Sequence, residues 1–485
     1  MVIPITEFGT KILTALYLVN ILFAFTVIFL ERRNPTSTLA WILVLFLLPG
    51  IGAGFYLLLS QNITRKRIFR LNIGQHHYYI TLLQKEIEDL QTGKLVFNDP
   101  VMANYKDLIH LHQVQSKALF SQDNVVEIFT DGTEKFKELF KLIINAKSHV
   151  HILYFIVKRD SLGKQLIKIL TEKAKEGVEV RFLVDALGNK LHDHDLKPLL
   201  EAGGKAVKFF PSFLSYINLR LNYRNHRKLV IIDGQIGFIG GLNVGKEYIG
   251  LDKKMGYWRD THLKITGHAV HDMQTRFLQD WKAASGEDIL QYEKYYPEPE
   301  KTGTSGIQIV SSGPDSPHEK IKHGYLKMIN SAKSSVYIQT PYFIPDDSIL
   351  EALKIAALSG VDVRIMIPNK PDHIFVYWAS YSYIGELLQA GVKAYIYNKG
   401  FLHAKSIVVD EKIGSVGSAN FDIRSFKLNF EVNAFIYDAA VSSKLFQAFE
   451  QDLGFSAELT LEDYLSRSRF IKFKESISRL LTPVL

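Results

Sequence analysis

Asn225-His226-Arg227-Lys228-Leu229-Val230-Ile231-Ile232-Asp233 and Leu402-His403-Ala404-Lys405-Ser406-Ile407-Val408-Val409-Asp410 carry one pattern, HxKxxxxD. Four histidines have Lys two places on (His226, His262, His318 and His403), but only His226 and His403 also have Asp seven places on. Among 16 histidines, chance would supply a full match only ~0.1 times. Each stretch leads to a glycine-rich turn bearing an amide, Gly240-Gly241-Leu242-Asn243 and Gly417-Ser418-Ala419-Asn420.

Residues two apart on a strand share a face, so the spacing predicts an imidazole and an ammonium looking into one cleft from each copy. Leu229 to Ile232 and Ile407 to Val409 read as the apolar run of a buried strand. Lys228, Lys405, Asn243 and Asn420, with Ser418 beside them, offer donors to the oxygens of a phosphate. His226 and His403 can divide the work of nucleophile and acid/base. The lysines meet developing charge, so the pattern calls for no metal and no cofactor. Asp233 and Asp410 complete the candidate catalytic set, but at the far end of the strand a role as turn or cap ligands is equally open.

Outward from the motifs the chain repeats itself. Ser148 to Val157 and Ser335 to Ile344 read as buried strands, each after a helical stretch ending in Asn145-Ala146-Lys147 or Ser331-Ala332-Lys333. Residues 173 to 185 and 355 to 368 each give a helix end, a capping Gly and a β-branched strand, and 199 to 210 match 387 to 397. The fold class is therefore α/β, two repeats with a mixed β-sheet flanked by helices in each. The boundaries read as a helical connector over 61–122, a first repeat over 123–294, a linker over 295–306 rich in Pro, Gly and charge, and a second repeat over 307–460. A basic amphipathic tail over 461–485 ends the chain, suited to an anionic lipid surface or to packing on the second repeat.

Ile12 to Leu30 and Leu39 to Leu59 hold no charge, and at 1.5 Å per residue each reaches ~28 to 32 Å, enough to cross a bilayer core. Residues 1–60 thus read as a transmembrane hairpin turned by Glu31 to Thr38. Arg65, Lys66, Arg67 and Arg70 after the second span, against Arg32 and Arg33 in the turn, place the remaining chain in the cytoplasm. The chain of 485 residues has no cysteine, which excludes disulfides, thiolate metal sites and a cysteine nucleophile. Its 58 Lys and Arg against 50 Asp and Glu give +8, a balance that suits an anionic partner. No Lys/Arg stripe with interleaved aromatics points to nucleic acid.

The paired motifs with their Gly/Asn turns resemble the phospholipase D superfamily. The hairpin with Ala40-Trp41 and Pro49, Trp258-Arg259-Asp260-Thr261-His262, Thr340-Pro341-Tyr342-Phe343-Ile344-Pro345 and Asn429-Phe430-Glu431 resemble bacterial cardiolipin synthases within it. The resemblance implies two phospholipase D-like repeats and transfer of a phosphatidyl group from one phosphatidylglycerol to another through a phosphohistidine, with glycerol released and His226 as nucleophile. It also implies an acid some thirty positions after each histidine that orients its ring. Asp260 follows His226 at that distance, and Glu431 follows His403. A hydrolytic phospholipase D would use the same residues, and a tethered phosphodiesterase or nuclease is the more distant alternative. Ser60-Gln61-Asn62 departs from the family's usual Gly-Arg-Asn. His192-Asp193-His194-Asp195 reads as a solvated loop, not a metal cluster.

Overall fold

The structure, a computed structural model, describes residues 5–30, 35–48, 52–54, 56, 77–209, 223–289, 293–299, 303–480 and 482. The chain forms two compact units, Met1–Asn72 with Pro211–Tyr223, and Ile73–Phe210 with Arg224–Leu485.

In the smaller unit, α1 (Ile5–Leu30) contains a window, Gly9–Phe29, of mean hydropathy 2.4 that keeps most of its surface exposed. Among the described residues this is the one helix long and apolar enough to cross a membrane. The expected second span is not matched by α2 (Pro35–Leu47), whose 13 residues reach only ~20 Å. Residues 52–54 and 56 are again helical, while 49–51, 55 and 57–60 lie outside the described residues. Pro35 opens α2 at the position where its missing N–H costs nothing, so residues 35–38 of the expected turn are helical, and 31–34 lie outside the described residues. Val27, Leu45 and Tyr56 are buried between the helices, with Phe23 and Trp41 edge-on to the Tyr56 ring.

The larger unit opens with α3 (His77–Gln91) and α4 (Lys106–Ser116). Leu90, Leu108 and Ile109 of these helices belong to the same core as the second repeat, so the expected connector is part of that repeat's packing. The first repeat runs β1 (Ser121–Asp131), α5 (Gly132–Ile144), β2 (His149–Tyr154), α6 (Ser161–Lys175), β3 (Glu179–Asp185), α7 (Asp193–Glu201), β4 (Lys205–Phe209), β5 (Arg224–Asn225), β6 (Leu229–Ile232), β7 (Ile236–Gly240), β8 (Tyr257–Thr266) and α8 (Ala269–Ser285). The second runs β9 (Ser305–Ser312), α9 (Lys320–Ser331), β10 (Ser335–Gln339), β11 (Phe343–Ile344), α10 (Asp347–Leu358), β12 (Asp362–Pro368), α11 (Ile374–Gln389), β13 (Lys393–Tyr397), β14 (Gly400–Leu402), β15 (Ser406–Val409), β16 (Ile413–Gly417), β17 (Phe421–Asp422), α12 (Ile423–Lys427), β18 (Asn429–Tyr437), α13 (Ala439–Leu453) and β19 (Ser456–Leu459). Two short helices, α14 (Leu461–Leu465) and α15 (Arg469–Leu480), close it.

Strand pairing makes the duplication plain. The first sheet is ordered β4-β3-β2-β6-β7-β8-β1. The second is ordered β13-β12-β10-β15-β16-β18-β9, with β19 added beyond β13. In each, parallel pairing among the crossover strands gives way to antiparallel pairing at the motif strand. The helix ends predicted at Gly177 and Gly360 carry glycine in the left-handed region, where a side chain would be strained, and Gly203 and Gly391 of the matching stretches 199–210 and 387–397 do the same. β1 pairs with β8 on one side and β9 on the other, so the two sheets join edge to edge.

The expected linker is shorter than the sequence suggests. Tyr295 is fully buried, its hydroxyl bonded by Arg181 Nη1 at 2.9 Å, and β9 already begins at Ser305. The His192 to Asp195 cluster is a helix start, not a loop. The His192 N–H donates to Asp195 Oδ2 at 2.9 Å as α7 begins, and Arg159 Nε donates to Asp195 Oδ1 at 2.9 Å.

Candidate active site

Each motif histidine lies just before its buried strand, not within it. Residues 226–228 and 403–405 belong to no ladder in their own sheet, because their segments reach across to the opposite repeat. β5 pairs in parallel with β18, Asn225 opposite Phe430, and β14 pairs in parallel with β8, Leu402 opposite Arg259. The next N–H in each case continues the crossing: His226 donates to the Phe430 carbonyl at 2.9 Å and His403 to the Arg259 carbonyl at 2.7 Å.

That register sets the acids. One residue past Phe430 is Glu431, and one past Arg259 is Asp260, so each histidine meets the acid of the other repeat. His226 Nδ1 lies 3.0 Å from both Glu431 carboxylate oxygens, and His403 Nδ1 lies 2.6 Å from Asp260 Oδ2. This corrects the pairing read from sequence, which coupled each acid to the histidine upstream of it. An Nδ1–H given to a carboxylate leaves the Nε2 lone pair available for chemistry. Both acids are themselves fixed. Thr261 N–H donates to Asp260 Oδ1 at 2.7 Å, and Arg227 Nε holds the Glu431 carbonyl at 3.1 Å while its Nη1 grips Asp280. Gly241 is required here, since a Cβ on it would stand 2.1 Å from Asp260 Oδ1.

Lys228 and Lys405 are fully buried, and each ammonium donates to the carbonyl of its own histidine, at 2.6 and 2.5 Å. Burial brings Lys228 down to about 7 and Lys405 to about 8, although Glu431 and Asp260 favour their charged forms. Burial and the Lys405 ammonium, 2.9 Å from the ring, hold His403 at about 4 against the pull of Asp260. His226 is likewise held below the usual imidazole value by burial, with Glu431 opposing and Lys228 assisting. Burial pushes the two carboxyls up, but Lys405 and His403 outweigh it at Asp260, as His226 and Lys228 do at Glu431, so both stay ionised. With both lysines protonated, their charges cancel those of the two carboxylates, and an arriving phosphodiester anion favours protonation of the lysines and the rings alike.

His226 and His403 open onto one cavity of about 520 Å³, with Asn243 and Asn420 on its wall. Asn243 Oδ1 accepts the Ile156 N–H at 3.1 Å, and Asn420 Nδ2 donates to Asp422 at 3.1 Å. Ser418 does not line the cavity. Its hydroxyl bridges the N–H and carbonyl of Val432, next to Glu431.

Asp233 and Asp410 are also elsewhere, so their place in the catalytic set is withdrawn. Each sits beyond the apolar strand in a left-handed turn and accepts three consecutive backbone N–H groups, from Lys147, Ser148 and His149 or from Lys333, Ser334 and Ser335. A four-residue strand between His and Asp carries the carboxylate to the opposite end of the sheet. They secure the starts of β2 and β10.

The cavity wall includes residues that the motif did not mark: Phe155, edge-on to the His226 ring at 5.0 Å, Trp258, 5.1 Å from the His403 ring, and Tyr248, Tyr342, Arg224 and Arg424. Proximity to the motifs was the available signal, Arg224 standing two residues before His226 and Arg424 four after Asn420.

Two histidines from duplicated HxK segments, each buttressed by a carboxylate from the opposite repeat over one cavity, define a phospholipase D-like protein. The family described as "Cardiolipin synthase, PLD-like domain" matches residues 139–281 and 325–453, and "Phospholipase_D-nuclease N-terminal" matches residues 18–61. The major cardiolipin synthase ClsA of Bacillus subtilis is 54% identical over 98% of this chain and 99% of its own length. A cardiolipin synthase of Oceanobacillus iheyensis is 51% identical over 97% and 98%. The crystal structure of phosphatidylserine synthase from Haemophilus influenzae shares the fold, with a TM-score of 0.58 at 15% identity over 78% of this chain and 97% of that one. The chain belongs to the cardiolipin synthase family of phospholipase D-like proteins.

Proposed function

We propose that this enzyme is a phosphatidyltransferase that makes cardiolipin and glycerol from two molecules of phosphatidylglycerol. The crossed pair of carboxylate-held histidines over one cavity is the observation that carries the reading. The names of relatives about half identical over nearly the whole chain support it. In the first step Nε2 of one histidine attacks phosphorus, the P–O bond to the departing glycerol breaks, and the other histidine gives that oxygen its proton. In the second, the same histidine takes the proton of the incoming primary hydroxyl, the new P–O bond forms, and the P–N bond breaks. Lys228 and Lys405 balance the charge that gathers on the phosphoryl group, and Asn243 and Asn420 orient it.

His226 is the nucleophile in the reading carried by family resemblance. Burial holds both rings below the usual imidazole value, so either can present the neutral lone pair a nucleophile needs, and His403 is the alternative. Digestion and mapping of the trapped phosphohistidine at neutral to alkaline pH, where the acid-labile P–N bond survives, distinguishes the two.

The reaction must hold a second phosphate, that of the acceptor, three carbons and an ester oxygen from the attacking hydroxyl. Arg224 and Arg424, on the wall of the same cavity as the histidines, are the residues we assign to it. The apolar helix α1 anchors the enzyme in the membrane. A second span completed beyond α2, returning the chain to the cytoplasmic face, is the topology that the basic residues after Ser60 support. Purified full-length protein given phosphatidylglycerol alone should yield cardiolipin and equimolar glycerol. Phosphatidic acid as the main product would replace this reading with hydrolysis.

A further inference from the structure

Helix α15 is amphipathic and faces the wrong way for a helix that merely completes a soluble core. It packs on α11 with Glu475 and Ser478 on its buried face. Glu475 and Ser478 are buried, and the Glu475 carboxylate accepts from Arg467 Nε at 2.7 Å and Nη2 at 2.6 Å and from the Tyr464 hydroxyl at 3.3 Å. Four of its five large apolar residues point outward: Phe470, Phe473, Ile477 and Leu480 are 64%, 60%, 39% and 76% exposed, while Ile471 is half-buried. Spaced at i, i+3, i+7 and i+10, they form one stripe along the helix. A stripe of this size outside the core marks an interaction surface.

Charge and position identify the partner. Arg469 and Lys472, both exposed, and Lys474 flank the stripe, and Lys474 Nζ lies 4.4 Å from the Phe470 ring centre. Basic residues beside exposed aromatics on one helix suit an anionic bilayer, where rings enter the headgroup boundary and ammoniums meet phosphates. Thr482, two residues beyond Leu480, lines the catalytic cavity, as do Ile374 and Phe375 at the start of α11, themselves 64% and 51% exposed. The helix that bears the stripe therefore ends beside the cavity wall.

We propose that α15 is an interfacial helix that rests its Phe470, Phe473, Ile477 and Leu480 stripe in the headgroup layer of an anionic bilayer and holds the cavity mouth on it. The inference rests on the reading of the substrates as bilayer lipids. It assigns the tail both roles that the sequence left open, since the polar face packs on the second repeat and the apolar face meets lipid.

The full chain contains no cysteine, so single cysteines placed along 470–480 can carry a fluorophore, with the protein reconstituted in phosphatidylglycerol nanodiscs containing a nitroxide-labelled lipid. Labels at 470, 473, 477 and 480 should be quenched about threefold or more beyond labels at 472 and 476, and more in phosphatidylglycerol than in phosphatidylcholine. A flat profile, or one indifferent to lipid charge, overturns the proposal, as does efficient cross-linking between two chains through Phe473→Cys. Phe470→Gln/Phe473→Gln should lower turnover about tenfold on phosphatidylglycerol vesicles but less than about twofold on monomeric short-chain phosphatidylglycerol. Equal loss on both substrates overturns it. If the wild-type protein made no cardiolipin, the proposed reaction would fail, while the quenching profile would still decide the membrane contact.

Discussion

His403 Nδ1 lies 2.6 Å from Asp260 Oδ2 across 143 residues of chain, while Glu431, the acid that follows His403, holds His226 instead. Neither repeat contains both members of such a pair. The proposed active site is assembled where the two repeats exchange strands, β5 onto β18 and β14 onto β8. This explains why one chain carries both copies of the motif.

Either acid is therefore needed while both histidines remain. Asp260→Asn and Glu431→Gln are expected to lower kcat by about 10² to 10⁴, through loss of tautomer control and of support for the charged ring. His226→Ala and His403→Ala should each leave less than about a tenth of wild-type turnover. Initial rates on phosphatidylglycerol, with thermal melts to confirm folding, provide the check. Wild-type rates in either acid variant would sink the crossed-pair mechanism.

Acid should destabilise the fold through a histidine far from the chemistry. His112 is fully buried against the Phe435 ring at 4.3 Å, and burial holds it at about 3. Its folded value lies below the unfolded one of ~6.5, so the unfolded chain binds the proton first and stability falls as pH drops from about 6.5 towards 3. At pH 5 the loss from this one group is about 2 kcal/mol. Unfolding midpoints of His112→Leu at pH 8 and pH 5 should differ less than those of the wild type. An unchanged difference would show that His112 is not the group responsible.

Turnover should survive exhaustive chelation, because the buried lysines meet the charge that a metal would otherwise carry. The measurement is cardiolipin formation after dialysis against EDTA. Loss of activity restored by one divalent ion would count against the mechanism, unless that ion acted on the lipid surface.

If Arg224 and Arg424 hold the acceptor's phosphate, an acceptor without one should tolerate their loss better. Exchange of labelled glycerol into phosphatidylglycerol uses the same donor and the same histidines. Arg224→Gln and Arg424→Gln are expected to reduce cardiolipin formation about tenfold more than glycerol exchange, mainly through KM. Equal reduction of both reactions would remove the second phosphate from these residues.

Topology can be read by thiol labelling against the cysteine-free background. Lys137→Cys, exposed on α5, should resist a membrane-impermeant reagent in intact cells and react after lysis, and Thr36→Cys should do the reverse. Labelling of Lys137→Cys in intact cells would place the catalytic unit outside.

The sequence by itself determined the duplicated α/β plan, the two histidines with their lysines, and the helix ends at Gly177 and Gly360. These follow from local chemistry: strand and helix periodicity, the freedom of glycine at a left-handed cap, and a motif whose spacing repeats. It also marked two apolar stretches long enough to span a membrane, and among the described residues one helix, α1, has that length. Only the tertiary structure decided which acid serves which histidine, because that choice is a strand register between repeats and strand pairing leaves no trace in sequence spacing. Tertiary contacts likewise moved Asp233 and Asp410 from the site to the start of β2 and β10, where three backbone N–H groups converge on each carboxylate. They also turned the polar face of α15 inward, since Glu475 finds Arg467 and Tyr464 there and the aromatic residues on the other face do not. Composition and periodicity fix what each segment can bury. Long-range partners decide which face is buried.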